Sequence, residues 1–232
     1  MKKRNLKAVT ATTIIGGSDG PTSIFLVGKT GGRQGNLLRR FRDRWQFRQM
    51  QKRRARVMSV ISPKPHTTDE VARYIRKKYR AVELAAKDSR AQEGYRNHKT
   101  SLVYKEQSER MEQMGYPLPD KKRPPDFHDR AAVEKWYEYM KEYDEAAMGL
   151  DDSFVPMDYH IYQIQVGYGC VLDVEMEKIG GLLNVSFSTT KKNRKVLKKI
   201  WRDIYRYYGV SQEDIKNSTD RYLTLVTVLA ER

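Results

Sequence analysis

The sequence has little capacity for sulfur chemistry. Cys170 is the only cysteine among the 232 residues, so the chain cannot form an intramolecular disulfide, and a reducing cytoplasm is its expected location. Cys170 directly precedes the apolar run 171–174, which is typical of a strand. We therefore expect Cys170 to be a small core residue rather than a catalytic nucleophile.

Histidine is also scarce and dispersed. The four histidines, at positions 66, 98, 128 and 160, lie far apart, and none has the paired spacing of a zinc site. The chain shows no Ser–His–Asp, Cys–His or paired-carboxylate arrangement at an informative spacing. The sequence therefore indicates no catalytic residue, no metal site and no small-molecule substrate.

Long hydrophobic runs are lacking. Only residues 8–28 approach the length that spans a bilayer, and glycines and a proline interrupt their centre. The basic start of the chain, 1–7, is similar to the start of a signal peptide, but a threonine-rich stretch without a cleavage site follows it. We expect a soluble protein without an integral membrane span.

Positive charge is in excess. The chain carries 45 lysines and arginines against 29 aspartates and glutamates, a formal net charge of +16. This balance favours an anionic partner: nucleic acid, an anionic membrane surface or an acidic protein. The alternative is a basic surface that is only solvated.

Composition divides the chain into four regions, and we predict an α+β protein. Residues 1–32 form a glycine-rich arm, and 33–65 a basic helix followed by a proline linker. Residues 66–150 are polar, helical and partly linker. Residues 151–232 are predicted to form a compact α+β domain, in which a three-stranded antiparallel sheet packs with helices.

Two helices are predicted in the polar region. Thr67 and Glu70 fit a capping box at the start of the first helix. Its apolar stripe contains Val71, Ile75, Tyr79 and Val82. The second helix covers 129–147, and its predicted inner side contains Val133, Trp136, Tyr137, Met140 and Tyr143.

The C-terminal region predicts strands at 159–166, 171–178 and 182–188, joined by glycine turns into an antiparallel meander. A helix over 190–208 follows, and Gly209 ends it. Ser211 caps a short helix, and residues 222–229 have helical spacing although their threonines and valines suit a strand. The predicted buried stripe of the long helix contains Val196, Leu197, Ile200, Ile204 and Tyr207.

The segment 14–29 has the most unusual local chemistry. Its glycines free the backbone, Pro21 lacks an amide donor, and hydroxyl groups surround Asp19. Such oxygen groups suit a small cation, as they do in the broken helices of transporters. The alternative is a glycine-rich hairpin that turns through Asp19 and Gly20.

This segment resembles the GGxDGPT signature of the β subunit of sodium-ion-translocating decarboxylases. The resemblance implies a sodium ion bound at Asp19 and a place in such a decarboxylase complex. It covers about sixteen residues, and Ser18 stands where the family usually has alanine. The chain lacks the further membrane helices of an ion pump. The matching residues around Asp19 are Gly16, Gly17, Gly20, Pro21 and Thr22.

The predicted basic helix is the second candidate site. Phe41, Trp45 and Phe47 lie among its basic side chains, a combination that suits phosphate contacts and base stacking. The alternative is a solvated helix, and no known nucleic-acid-binding signature accompanies it. The candidate anion-binding residues are Arg39, Arg40, Arg42, Arg44, Arg48, Lys52, Arg53, Arg54 and Arg56.

Three functions remain open from the sequence. The first is a non-enzymatic accessory or interaction protein, without a cofactor, that carries a decarboxylase-like signature. The second is nucleic-acid binding through the basic helix. The third is a component of a sodium-translocating decarboxylase complex.

Overall fold

The structure, a computed structural model, describes residues 37–117, 129–167, 170–188 and 193–231. These residues separate into two compact units. The described part of unit 1 is 37–83, 162–167, 170–176, 181–188 and 193–231, and that of unit 2 is 84–117, 129–161 and 177–180. No helix among the described residues is long and apolar enough to cross a membrane.

Helices and strands are mixed, as the predicted α+β class requires. The helices are α1 (Leu37–Met58), α2 (Thr68–Tyr79), α3 (Ser89–Glu106), α4 (Ser108–Gln113), α5 (Arg130–Met148), α6 (Arg194–Tyr208), α7 (Gln212–Asn217) and α8 (Asp220–Ala230). The strands are β1 (Val82–Glu83), β2 (Tyr159–Gln165), β3 (Val171–Glu177) and β4 (Leu182–Ser188).

The sheet has four strands in the order β1-β2-β3-β4. The predicted meander of β2, β3 and β4 is confirmed, but the prediction of three strands is wrong because it omits β1. Val82 pairs with Gln163, and Glu83 with Tyr162, in an antiparallel register. The predicted helical stripe includes Val82, whereas α2 ends at Tyr79, and the next residue, Arg80, adopts a left-handed conformation (φ 54°, ψ 39°) that turns the chain into β1.

The two faces of the sheet differ in polarity because strand side chains alternate. On the outer face, Gln163 Nε2 donates to Asp173 Oδ1 at 3.1 Å, and Asn184 Nδ2 donates to Glu175 Oε2 at 3.3 Å. The inner face supplies much of the core of unit 1. Its buried strand residues are Tyr162, Ile164, Leu172, Val174, Met176, Leu183 and Val185.

The helix α6 covers this core, but its buried face is rotated from the predicted one. Leu197 and Ile204 are buried as expected, whereas Val196 is 49% exposed. The buried face also contains Trp201 and Tyr205, whose size the spacing argument did not weigh. Cys170 is fully buried in the same core, which agrees with its predicted packing role.

The smaller helical predictions in unit 1 are confirmed. The capping box at Thr67 and Glu70 is present, and Ser211 forms a second one with Asp214. The C-terminal segment forms helix α8. It packs against α1, α6 and α7.

In unit 2, α3 packs against α5 over a small core. Tyr143 and Ala147 of α5 are buried there, but the predicted inner residue Tyr137 is 62% exposed. Lys99 of α3 is buried, and its Nζ donates to the carbonyl of Leu150 at 2.7 Å and to Asp152 Oδ1 at 2.8 Å. This lysine therefore satisfies a backbone carbonyl just after α5 ends.

Gly209 should tolerate no side chain. It has φ 59° and ψ −165°, and an added Cβ would overlap the carbonyl oxygen of Lys64. We expect Gly209→Ala to lower the free energy of unfolding by about 3 kcal/mol, since backbone strain and a backbone clash add. Gly181 also has a positive φ (68°), but space around it is open. Gly181→Ala should therefore cost only about 1 kcal/mol. Equal losses in urea denaturation would contradict the clash.

His98 should make stability depend on pH. Its Nε2 is buried without a hydrogen-bond partner among the described residues, and burial lowers its pKa while Glu177 opposes the shift. The unfolded chain takes up a proton at the ordinary pKa of 6.5, whereas the folded protein does so only at lower pH. Stability should therefore fall as the pH decreases from 6.5 towards the folded pKa. The measurement is the urea denaturation midpoint as a function of pH. His98→Phe should reduce the decrease of the midpoint below pH 6.5, and an unchanged pH dependence would contradict the role of His98.

Candidate nucleic-acid interface

The basic helix predicted from the sequence is present as α1. Its 22 residues contain neither glycine nor proline, so nothing within them interrupts the helix. After α1, Ser59 Oγ donates to the carbonyl of Arg56 at 2.9 Å, and Pro63 follows in the chain. The predicted helix and its end before the proline segment are therefore confirmed.

Among the side chains of α1 that the structure describes, those on one side and at the C-terminal end of the helix contact the core of unit 1. Val57 near its end, and Ile61 just beyond it, pack against the core of unit 1, and α1 lies against α8. Gln49, Arg53 and Arg54 are partly buried, whereas residues 44–48 are all exposed. Residues 44–48 of α1 are therefore accessible to a partner.

A row of basic side chains follows the open side of α1. Arg44, Arg48, Lys52 and Arg56 are four residues apart, so they follow one side of the helix at intervals of about 6 Å. All four are exposed, and none forms an ion pair with a residue that the structure describes. No acidic residue occurs between 44 and 58. We call these four residues the α1 basic row.

Large aromatic side chains are exposed on the same helix. Trp45 is 61% exposed and Phe47 is 57% exposed. Trp45 precedes Arg48 by three residues and Lys52 by seven, and so it lies beside the α1 basic row. Phe47 is two positions further along the chain, about 200° around the helix from Trp45. Trp45 therefore lies beside the middle of the row, whereas Phe47, three residues after Arg44, lies near only the start of the row.

The helices α2 and α6 add a second basic surface that the sequence prediction missed. The two helices pack against each other in unit 1. Their exposed basic residues that form no ion pair with a described residue are Arg73, Lys77, Arg80, Arg194, Lys195, Lys199 and Arg206. The basic runs 76–78 and 198–199 are visible in the sequence, but their apolar neighbours at helical spacing predict only buried helix faces.

Three rings are stacked where α2 and α6 meet. The ring of Tyr74 lies 3.8 Å from that of Tyr207, centroid to centroid, at an angle of 2°. The opposite neighbour of Tyr207 is His66, at 4.1 Å and 19°. The stack therefore joins the start of α2, its second turn and the end of α6.

Asp203 of α6 holds the same helix pair together. Its Oδ2 accepts hydrogen bonds from Tyr74 Oη at 2.5 Å, from Lys78 Nζ at 2.8 Å and from Tyr79 Oη at 2.6 Å. Burial acts to raise the pKa of Asp203, but the three donors outweigh it and hold the pKa below its ordinary value. Burial and Asp203 raise the pKa of both tyrosines. This carboxylate is therefore a structural acceptor and is poorly suited to act as a base.

Charge is separated between the two units. The described residues of unit 1 contain 23 lysines and arginines against 11 aspartates and glutamates. Those of unit 2 contain 10 against 15. The excess positive charge of the described chain therefore belongs to unit 1, which contains α1, α2 and α6.

The structure describes one of the two predicted sites. The six motif residues Gly16, Gly17, Asp19, Gly20, Pro21 and Thr22 lie outside the described residues, and the sodium site stays a prediction. Arg39, Arg40 and Arg42 lie in the first turns of α1. Of the remaining predicted residues, Arg53 and Arg54 are partly buried. The α1 basic row contains the others.

Within the described ranges, no group of histidine, cysteine and acidic residues could hold a metal ion. Comparison with known proteins finds no matching family model, no matching curated protein and no matching solved structure. The exposed charge and aromatic side chains of unit 1 are therefore the features that point to a function.

Removing the charge of Asp203 should weaken the contact between α2 and α6. We expect Asp203→Asn to lower the free energy of unfolding by about 1 kcal/mol, because Lys78, Tyr74 and Tyr79 lose a charged acceptor at a partly exposed site. Glu213→Gln, an equal change of charge at an exposed position on α7, is the matched control. A loss no larger than that of the control, measured by urea denaturation, would show that Asp203 is not a structural acceptor.

Proposed function

We propose that this protein is an accessory protein without catalytic activity of its own, and that it binds nucleic acid through unit 1. The observation that carries the proposal is the α1 basic row, an exposed line of four cations with no acidic residue from 44 to 58. Basic residues that only keep a surface soluble are commonly interspersed with acidic ones. A partner with regularly spaced negative charges is favoured here instead.

Further cations support a polyanion rather than a single anion. The seven exposed basic residues named above on α2 and α6 belong to the same unit, and none of them forms an ion pair with a described carboxylate. A nucleic acid presents many phosphates, and each phosphate contact releases condensed counterions and so adds to affinity. Exposed aromatic rings beside the cations fit nucleic acid better than they fit a purely electrostatic surface contact.

The salt dependence of binding tests this proposal. Binding of a labelled oligonucleotide should weaken steeply between about 50 and about 200 mM salt. The variant with Arg44, Arg48, Lys52 and Arg56 all changed to Gln should flatten the slope of log affinity against log salt by about 3, since each phosphate contact contributes roughly 0.7 to 0.9.

A control of equal charge comes from unit 2. Lys87, Arg96, Lys105 and Lys135 are exposed, and their change to Gln removes the same number of charges from the unit that is not basic. This variant should keep the slope of the unmodified protein. The proposal fails if the protein does not bind oligonucleotides at low salt, or if both variants lose affinity equally.

A further inference from the structure

We infer that the nucleic acid bound by α1 is single-stranded and that the indole of Trp45 stacks on one of its bases. This inference deepens the proposed function and rests on it. It names the class of nucleic acid and one further contact residue. The observation that carries it is the placement of a large exposed ring beside the α1 basic row.

Trp45 belongs to neither hydrophobic core of the described residues. It is 61% exposed, and it does not belong to the core of unit 1, to which α1 contributes Val57. An exposed indole leaves a large apolar surface in water. A flat partner that covers the ring would remove this surface from water.

The surroundings of Trp45 define the charge of that partner. Arg44 precedes it, and Arg48 and Lys52 follow on the same side of the helix, all exposed. Asp43 is the one acidic residue in the sequence of α1, and none occurs from 44 to 58. The partner therefore combines a flat apolar face with negative charges that can follow a line of cations.

Unpaired nucleotides have this combination. In a duplex, neighbouring base pairs cover the faces of the bases, and only base edges remain accessible in the grooves. In a single strand, the face of each base is available to an aromatic side chain, while cations follow the phosphates. A single strand therefore fits α1: the α1 basic row contacts its phosphates, and the indole of Trp45 stacks on one of its bases.

Phe47 provides a matched control on the same helix. Its exposure, 57%, is close to that of Trp45. It lies about 200° around the helix from Trp45 and so on the opposite side of α1 from Lys52 and Arg56. Phe47→Ala and Trp45→Ala each remove one exposed ring from α1, but only Trp45→Ala removes the ring beside Arg48 and Lys52.

The test measures the affinity of the full chain for a labelled oligonucleotide, alone and annealed to its complement, at one salt concentration. We expect the single strand to bind more tightly than the duplex. Trp45→Ala should weaken single-strand binding roughly tenfold, the usual scale for loss of one stacked base. Its salt slope should not change, because no phosphate contact is lost. Phe47→Ala should match the unmodified protein, and Trp45→Phe should restore most of the affinity.

Several results would overturn the inference. If the duplex binds at least as tightly as the single strand, or if Trp45→Ala leaves single-strand affinity unchanged, stacking on an unpaired base is wrong while the proposed function stands. Equal losses in Trp45→Ala and Phe47→Ala would also overturn it. If neither oligonucleotide binds at low salt, the proposed function fails together with the inference.

Discussion

The guanidinium of Arg221 is the contact on which the arrangement of unit 1 depends. From α8 it donates to the carbonyl of Gly209 at 2.8 Å, to that of Tyr208 at 2.6 Å and to that of His66 at 2.8 Å. Two of these carbonyls belong to the end of α6, where helical partners are missing, and the third precedes α2. Together with the backbone hydrogen bonds from Lys64 to Val210 at 2.9 Å and from His66 to Tyr208 at 3.0 Å, this cation holds the segment before α2 against the end of α6, where His66 stacks on Tyr207.

The presence of hydrogen-bond acceptors distinguishes the structural cations of unit 1 from those proposed to bind nucleic acid. Arg221 and Lys78 are matched by carbonyl or carboxylate acceptors on neighbouring elements, so their charges are used within the fold. The α1 basic row has no such acceptors among the described residues. Unpaired cations repel each other, so the row lowers the stability of the free protein, and a bound polyanion relieves that repulsion.

Local signals in the sequence were strong enough to predict most elements of the fold. Capping residues, glycine turns and alternating strands placed α2, α7 and the meander β2–β4, because these signals act over a few residues. The edge strand β1 was missed because its two residues carry no pattern, and its pairing with β2 depends on residues about 80 positions away. In the candidate site, the charge of α1 was predictable. The surface shared by α2 and α6 was not, since it needs two helices that are distant in sequence.

The pairing of β1 with β2 has a consequence for the order of folding. Glu83 pairs with Tyr162, so this contact closes a loop formed by the 78 residues 84–161, an entropic cost of about 4 kcal/mol for a flexible chain. Within unit 2, however, the amide of Leu84 donates to the carbonyl of Ile161 at 2.9 Å. The two ends of the loop are therefore already joined once unit 2 has formed. The edge strand can then be added to β2 at little further entropic cost, because the two chain ends that flank the loop are already held together.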